Sequence, residues 1–131
     1  MTRERIPDEV KRFILVSIPS VPFLEALLLL RSEPGSEWNS SRVAKRLYIV
    51  ERTASEILAN LHAIGILRSP EHDPLSYCYD PNSSELRAII DRVATTYAGN
   101  LVEVTNLIHA KGGVNNKAQK FADAFKWRKD S

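Results

Sequence analysis

The chain has 131 residues, enough for one domain with an appended helical arm. Its 44% apolar and 26% charged residues are those of an ordinary globular protein, which excludes a disordered, collagenous or mostly membrane-embedded chain. A formal charge of +2 is only mildly basic, so a nucleic-acid footprint would have to be a local patch.

The N-terminal stretch carries charges of both signs without a long apolar run, and reads as neither a secretory signal nor a transit peptide. A first helix is expected over residues 7–17. Pro7 suits the first helical position, Asp8 and Glu9 complement the positive end of the dipole, and Val10, Phe13 and Ile14 line one face. From Ile18 to Pro22 a break is forced, because Pro19 and Pro22 remove donors and bias the residues before them toward extended geometry. Phe23 to Arg31 then reads as a second helix, with Leu24, Leu27, Leu28 and Leu30 making it apolar on nearly all sides and therefore buried against more than one partner. The apolar run from Val21 to Leu30 contains Pro22 and Glu25 and falls far short of the roughly 20 residues that span a bilayer, so no membrane insertion is expected. Glu33 to Ser36 is a turn, and Glu37-Trp38 a short sheet edge with Trp38 capping the core.

The organising stretch runs from Trp38 to Leu67 and reads as two short helices joined by a tight turn. Val43, Ala44 and Leu47, then Ala54, Leu58, Leu61 and Ile64, recur at steps of three and four, giving each helix one apolar stripe. Asn39 stands where its side chain can cap the first helix, Ile49 drops into the core between the two, and Gly65 stands where a helix end often needs positive φ. A hairpin follows, with strands at Ile66–Arg68 and Leu75–Tyr79 and the breaker-rich connection Ser69–Pro74. Along the second strand Leu75, Tyr77 and Tyr79 share one face, opposite Ser76 and Cys78. Cys78, the single cysteine, excludes an internal disulfide and fits a reducing cytosol. An inert strand cysteine is the preferred reading over a redox sensor.

After Asp80–Ser84, where Ser83 or Ser84 can cap, residues 85–110 carry a long amphipathic helix disturbed at Gly99-Asn100. At about 1.5 Å per residue it would reach about 39 Å, longer than a small domain needs. Its apolar stripe packs either against the first helix or against a second subunit. A final short helix over 117–128 places Ala118, Phe121, Ala122 and Phe125 on one face, which has to dock to be stable; the dimer core is preferred over a membrane surface.

Ala44 and Leu47, Ile49, Thr53, Ala54, Ser55, Leu58 and Leu61, and then Gly65-Ile66-Leu67, resemble without a gap the helix-turn-helix of bacterial winged-helix transcription regulators. The IPSV and LEALLLL segments, Trp38, the Tyr77, Tyr79, Pro81 pattern and the FADAFKWRK ending extend the likeness over nearly the full chain, to a group of bacterial helix-turn-helix proteins taken as transcriptional regulators. The resemblance implies a mainly α winged helix-turn-helix fold with a small β-hairpin: residues 1–82 form an N-terminal helix plus the winged domain, and 83–131 a helical dimerisation arm. It also implies a cytoplasmic bacterial regulator that binds double-stranded DNA as a homodimer through residues 85–110 and the 117–128 helix. No operator, ligand or catalytic residue comes with it.

In such a protein the second helix of the pair enters the major groove. Arg52, Thr53, Ser55, Glu56 and Asn60 would then meet base edges, with Arg52 suited to guanine and Glu56 to cytosine. Arg42, Lys45 and Arg46, with Arg68 and His72 at the wing, would contact phosphates. From Trp38 to Arg68 there are five basic and two acidic residues, but Glu51 and Glu56 stand on the expected DNA side and Glu71 and Asp73 at the wing tip. An adaptor that binds protein rather than DNA is therefore the alternative. An enzyme is not expected: His62, His72 and His109 lack metal-ligand spacing, Gly112-Gly113 follows a helix rather than a strand, and no nucleophile with its base can be nominated. No cofactor is expected. A groove lined by Trp38, Tyr97 and leucines would suit a small-molecule effector, although a filled core is the preferred reading.

Overall fold

The computed structural model describes residues 6–110, so the expected 117–128 helix lies outside the described residues. The chain is mainly helical with one small antiparallel hairpin. It divides into two compact units, Pro22–Thr95 and Met1–Val21 with Thr96–Ser131.

The larger unit opens on α2 (Val21–Ser32). The break before this helix is shorter than the two prolines imply, because Pro22 sits within the first turn, where a missing N–H leaves no helical bond unmade. Phe23, Leu24, Ala26, Leu27 and Leu30 are buried. Asn39 caps α3 (Ser40–Leu47), its side-chain oxygen accepting from the Arg42 amide at 2.9 Å. Val43 and Ala44 are buried, and α3 packs against α4 (Glu51–Ala63). On α4 the buried stripe is Ala54, Ile57, Leu58 and Leu61. Ile64, expected in that stripe, lies beyond the helix end and is 43% exposed, while Ile57 takes a core position in its place.

Both helices of this pair end in a residue with positive φ followed by an amide that bonds back to the last turn. After α4, Gly65 takes φ +90°, its amide donates to His62 O at 3.0 Å, and the Ile66 amide donates to Leu61 O at 3.0 Å. These two bonds satisfy orphan carbonyls in a Schellman turn. After α3, Tyr48 stands at the equivalent place with φ 58° and ψ 46°, and the amides of Tyr48 and Ile49 both donate to Ala44 O. Tyr48 is the only non-glycine residue with positive φ among the described residues.

The hairpin pairs β1 (Leu67–Arg68) with β2 (Cys78–Tyr79) in the register Leu67 to Tyr79 and Arg68 to Cys78. Trp38 and Tyr77 extend it by one antiparallel bridge, each amide donating to the other's carbonyl at 2.7 Å. This is the short edge expected at Glu37-Trp38. The second strand is shorter than its alternation suggests. Asp73 accepts from the Leu75 amide at 3.2 Å and from the Ser76 hydroxyl at 2.7 Å, which folds residues 73–76 into a turn and leaves Leu75 78% exposed. Cys78 and Tyr79 are both buried, so this two-residue strand has no solvent face.

Ser83 caps α5 (Ser84–Gly99), its hydroxyl accepting from the Leu86 amide at 3.0 Å. Ion pairs from Arg31 to Asp91 at 3.0 Å and from Arg87 to Asp80 at 3.7 Å tie the first turns of α5 to α2 and to the segment after β2. The larger unit therefore extends through Thr95, where the sequence suggests a division at residue 82.

The smaller unit begins with α1 (Asp8–Ser17), which starts one residue after Pro7, whose carbonyl accepts the first bond from Lys11. The long helix expected over 85–110 breaks at Asn100, and residues 101–110 form a separate helix, α6. At the break Asn100 is buried and its side-chain amide donates at 3.2 Å to Thr96 O, the carbonyl that its backbone amide also bonds at 2.8 Å. Val10, Ile14 and Ile18, and on α6 Val104 and Ile108, provide the buried apolar side chains of this unit, at helical steps of four. No single helix among the described residues is long and apolar enough to cross a membrane.

Candidate nucleic-acid interface

The buried stripe of α4 fixes what its other side presents. With Ala54, Ile57, Leu58 and Leu61 inward, Arg52, Ser55, Glu56, Ala59 and Asn60 are all exposed and recur at steps of three and four along one face. Thr53 lies at the border, half-buried. Arg52 is the most outward, with its side chain 90% exposed and 3.7 Å from Glu56 one turn on. Five residues named from the sequence as base-edge contacts thus lie on or beside one helix face, which no described residue covers.

The basic residues expected to hold phosphates are dispersed differently. The Arg42 guanidinium stacks 3.8 Å over the Trp38 ring, donates to Glu37 O at 2.8 Å and stands 3.5 Å from Glu33. Arg46 lies 5.4 Å from the same ring and 3.9 Å from Glu33. Arg68 pairs with Asp80 at 3.0 Å, and His72 Nε2 meets Glu37 at 2.9 Å. All four side chains thus face a carboxylate, Arg42 and Arg46 sharing Glu33. Lys45, exposed on the last turn of α3, has no ion pair among the described residues. The cations on the outward face are Lys45 and Arg52, of which Arg52 itself stands 3.7 Å from Glu56, and Glu51 lies beside them.

Tyr48 and Val50, which sequence reasoning left out of the site, stand at the entry to α4 and are 94% and 67% exposed. The usable signal was a tyrosine at the position after a helix where glycine or asparagine is usual.

Between the start of α3, the first turns of α4 and the 73–77 segment lies a cleft of about 330 Å³, lined among others by Ser40, Glu51, Ser55, Asp73, Leu75 and Tyr77. The Ser40 hydroxyl donates to Glu51 at 3.3 Å. The Ser76 hydroxyl, followed by the Leu75 amide, holds the Asp73 carboxyl below its ordinary value. Two carboxylates make the cleft repel a phosphate rather than hold it. A carboxylate with a lowered native pKa contributes stability that is complete above its unfolded value and is lost as pH falls through the native one. Ser76→Ala should raise the Asp73 pKa toward the ordinary 3.8, read from its carboxylate resonance in a pH titration; an unchanged midpoint would contradict the role given to the hydroxyl.

The His62 ring rests 5.4 Å from Tyr77. Cys78 is buried with its sulfur 3.6 Å from Arg68 O.

What fold and site define together is a mainly α chain in which two helices and a hairpin present one exposed helix face. The chain matches no protein family model, no curated protein and no solved structure.

Proposed function

We propose that the chain is a winged helix-turn-helix protein that binds duplex DNA through α4 and regulates transcription as a homodimer in the bacterial cytoplasm. The observation that carries this reading is the uncovered face of α4, where Arg52, Ser55 and Asn60 project together from a helix anchored by four buried side chains. Such a rigid helix, with donors and acceptors on its outward side and a hairpin beside it, suits insertion into a major groove. Arg52 is assigned to a guanine edge, Ser55 and Thr53 to base or phosphate, and Lys45 to the phosphate backbone. Arg42, Arg46, Arg68 and His72 would reach phosphates only by leaving Glu33, Asp80 and Glu37. Leu15 and Val16 on α1 and Leu101 and Val102 on α6 are exposed apolar side chains that a second copy would cover. In that dimer the two α4 helices would lie about 34 Å apart, one turn of duplex.

The second reading, an adaptor that binds protein through the same face, is favoured by the charge arrangement: most of the expected phosphate contacts already have acidic partners. Titration of a mixed-sequence duplex across a salt series separates the two. DNA binding predicts affinity falling steeply with salt, and Lys45→Ala should reduce the log–log slope by about one. Arg52→Ala should lower the preference for a selected sequence about tenfold while leaving binding to mixed sequence nearly unchanged. Absence of binding at low salt would favour the adaptor.

A further inference from the structure

We infer that Tyr48 is a contact to the DNA phosphate backbone, its phenol hydroxyl donating to a phosphate oxygen at the edge of the groove that α4 enters. The inference rests on the duplex binding proposed for α4.

Both α3 and α4 close with a residue at positive φ followed by an amide that reaches back to the last turn. At the end of α4 that residue is Gly65, which bears no side chain to strain. At the end of α3 it is Tyr48, in a conformation where any β-carbon crowds the following carbonyl. A strained residue in a fold core is ordinarily repaid by burial. Here the side chain is 94% exposed, so packing returns nothing to the fold. Strain held at an exposed residue that glycine would relieve points to use of the side chain by something outside the chain.

Position and chemistry then name the user. Tyr48 lies between Lys45, exposed on the last turn of α3, and Arg52, 90% exposed on the first turn of α4. Along the chain it follows the first of these cations by three residues and precedes the second by four. The backbone beneath it is fixed, since Tyr48 and Ile49 both donate to Ala44 O. A ring on such a base has few torsions to order on binding, and its hydroxyl is among the donors that commonly meet phosphate oxygens. Being neutral, the phenol displaces no counterion. Its removal should therefore weaken binding without altering the salt slope, unlike the loss of Lys45.

The test compares wild type, Y48F, Y48G and K45A, each as the full chain, on a mixed-sequence duplex over a salt series, with thermal unfolding of each variant. Y48F and Y48G are each expected to bind roughly tenfold more weakly at every salt concentration, with the wild-type slope. Y48G is expected to unfold at or above the wild-type temperature, which separates lost contact from lost fold. Wild-type affinity in Y48F or Y48G, a reduced slope in either, or a lower unfolding temperature in Y48G would overturn the assignment while leaving duplex binding by α4 intact. A wild-type chain that binds no duplex would overturn both.

Discussion

Replacing Trp38 by alanine is expected to lower stability by about 3–5 kcal/mol, a large part of the roughly 5–15 kcal/mol that holds a domain together. Trp38 is fully buried, and it links three parts of the larger unit. Its backbone forms the bridge to Tyr77, its ring lies under the Arg42 and Arg46 guanidinium groups, and Glu33 holds those two arginines from α2's end. Truncation leaves a cavity of side-chain size and removes the platform that positions both arginines. For a chain of this length the unfolding midpoint should fall by about 15 °C. Trp38→Phe should cost distinctly less, because a second ring fills most of the cavity and because the indole N–H, which has no hydrogen-bond partner among the described residues, is removed with its penalty. Thermal and urea unfolding of the two variants measure this. Equal losses would contradict this expectation.

The second large effect is expected at Gly65. Its φ of +90° ends α4 and turns the chain into β1. An added β-carbon would be strained by that dihedral and would fall on the side-chain amide of Asn82. Asn82 is exposed and can swing away, so the dihedral dominates. Gly65→Ala should therefore cost about 2 kcal/mol, near the upper end for a residue forced into a left-handed conformation. The change should also disturb the Asn82 amide bond to Gly65 O, now 2.8 Å, and with it the segment after β2. Hydrogen exchange at Asn82 and Asp80 should accelerate more than at the centre of α4. Uniform acceleration would instead mean that only global stability changed.

The two short helices joined by a tight turn, the Asn39 cap, the Trp38 edge strand and the Gly65 turn were legible because each rests on a local rule with a single answer. A capping side chain, a positive-φ glycine and a three–four apolar spacing do not depend on distant residues. What escaped depends on residues far apart in sequence or on competition between local bonds. The exposure of Ile64 follows from where the Gly65 turn ends the helix, whereas Ile57 fits the 54, 57, 58, 61 spacing and was readable. Leu75 leaves the strand because the Asp73 side chain captures its amide, a turn that hydrophobic alternation does not register. The break at Asn100 was visible as a disturbance, yet whether an asparagine bends or interrupts a helix depends on its surroundings. For the site, the face of α4 followed directly from its periodicity. The electrostatics did not: counting arginines along the chain cannot reveal that Glu33, Glu37 and Asp80 stand against Arg42, Arg46, His72 and Arg68.

The central claim is that the outward face of α4 reads a base sequence. Selection from a pool of random duplexes with the purified full chain, followed by sequencing of the bound fraction, tests it most directly. Enrichment of one motif, containing a guanine whose selection is lost with Arg52→Ala, is the predicted result. A pool that stays random through successive rounds at low salt would contradict it.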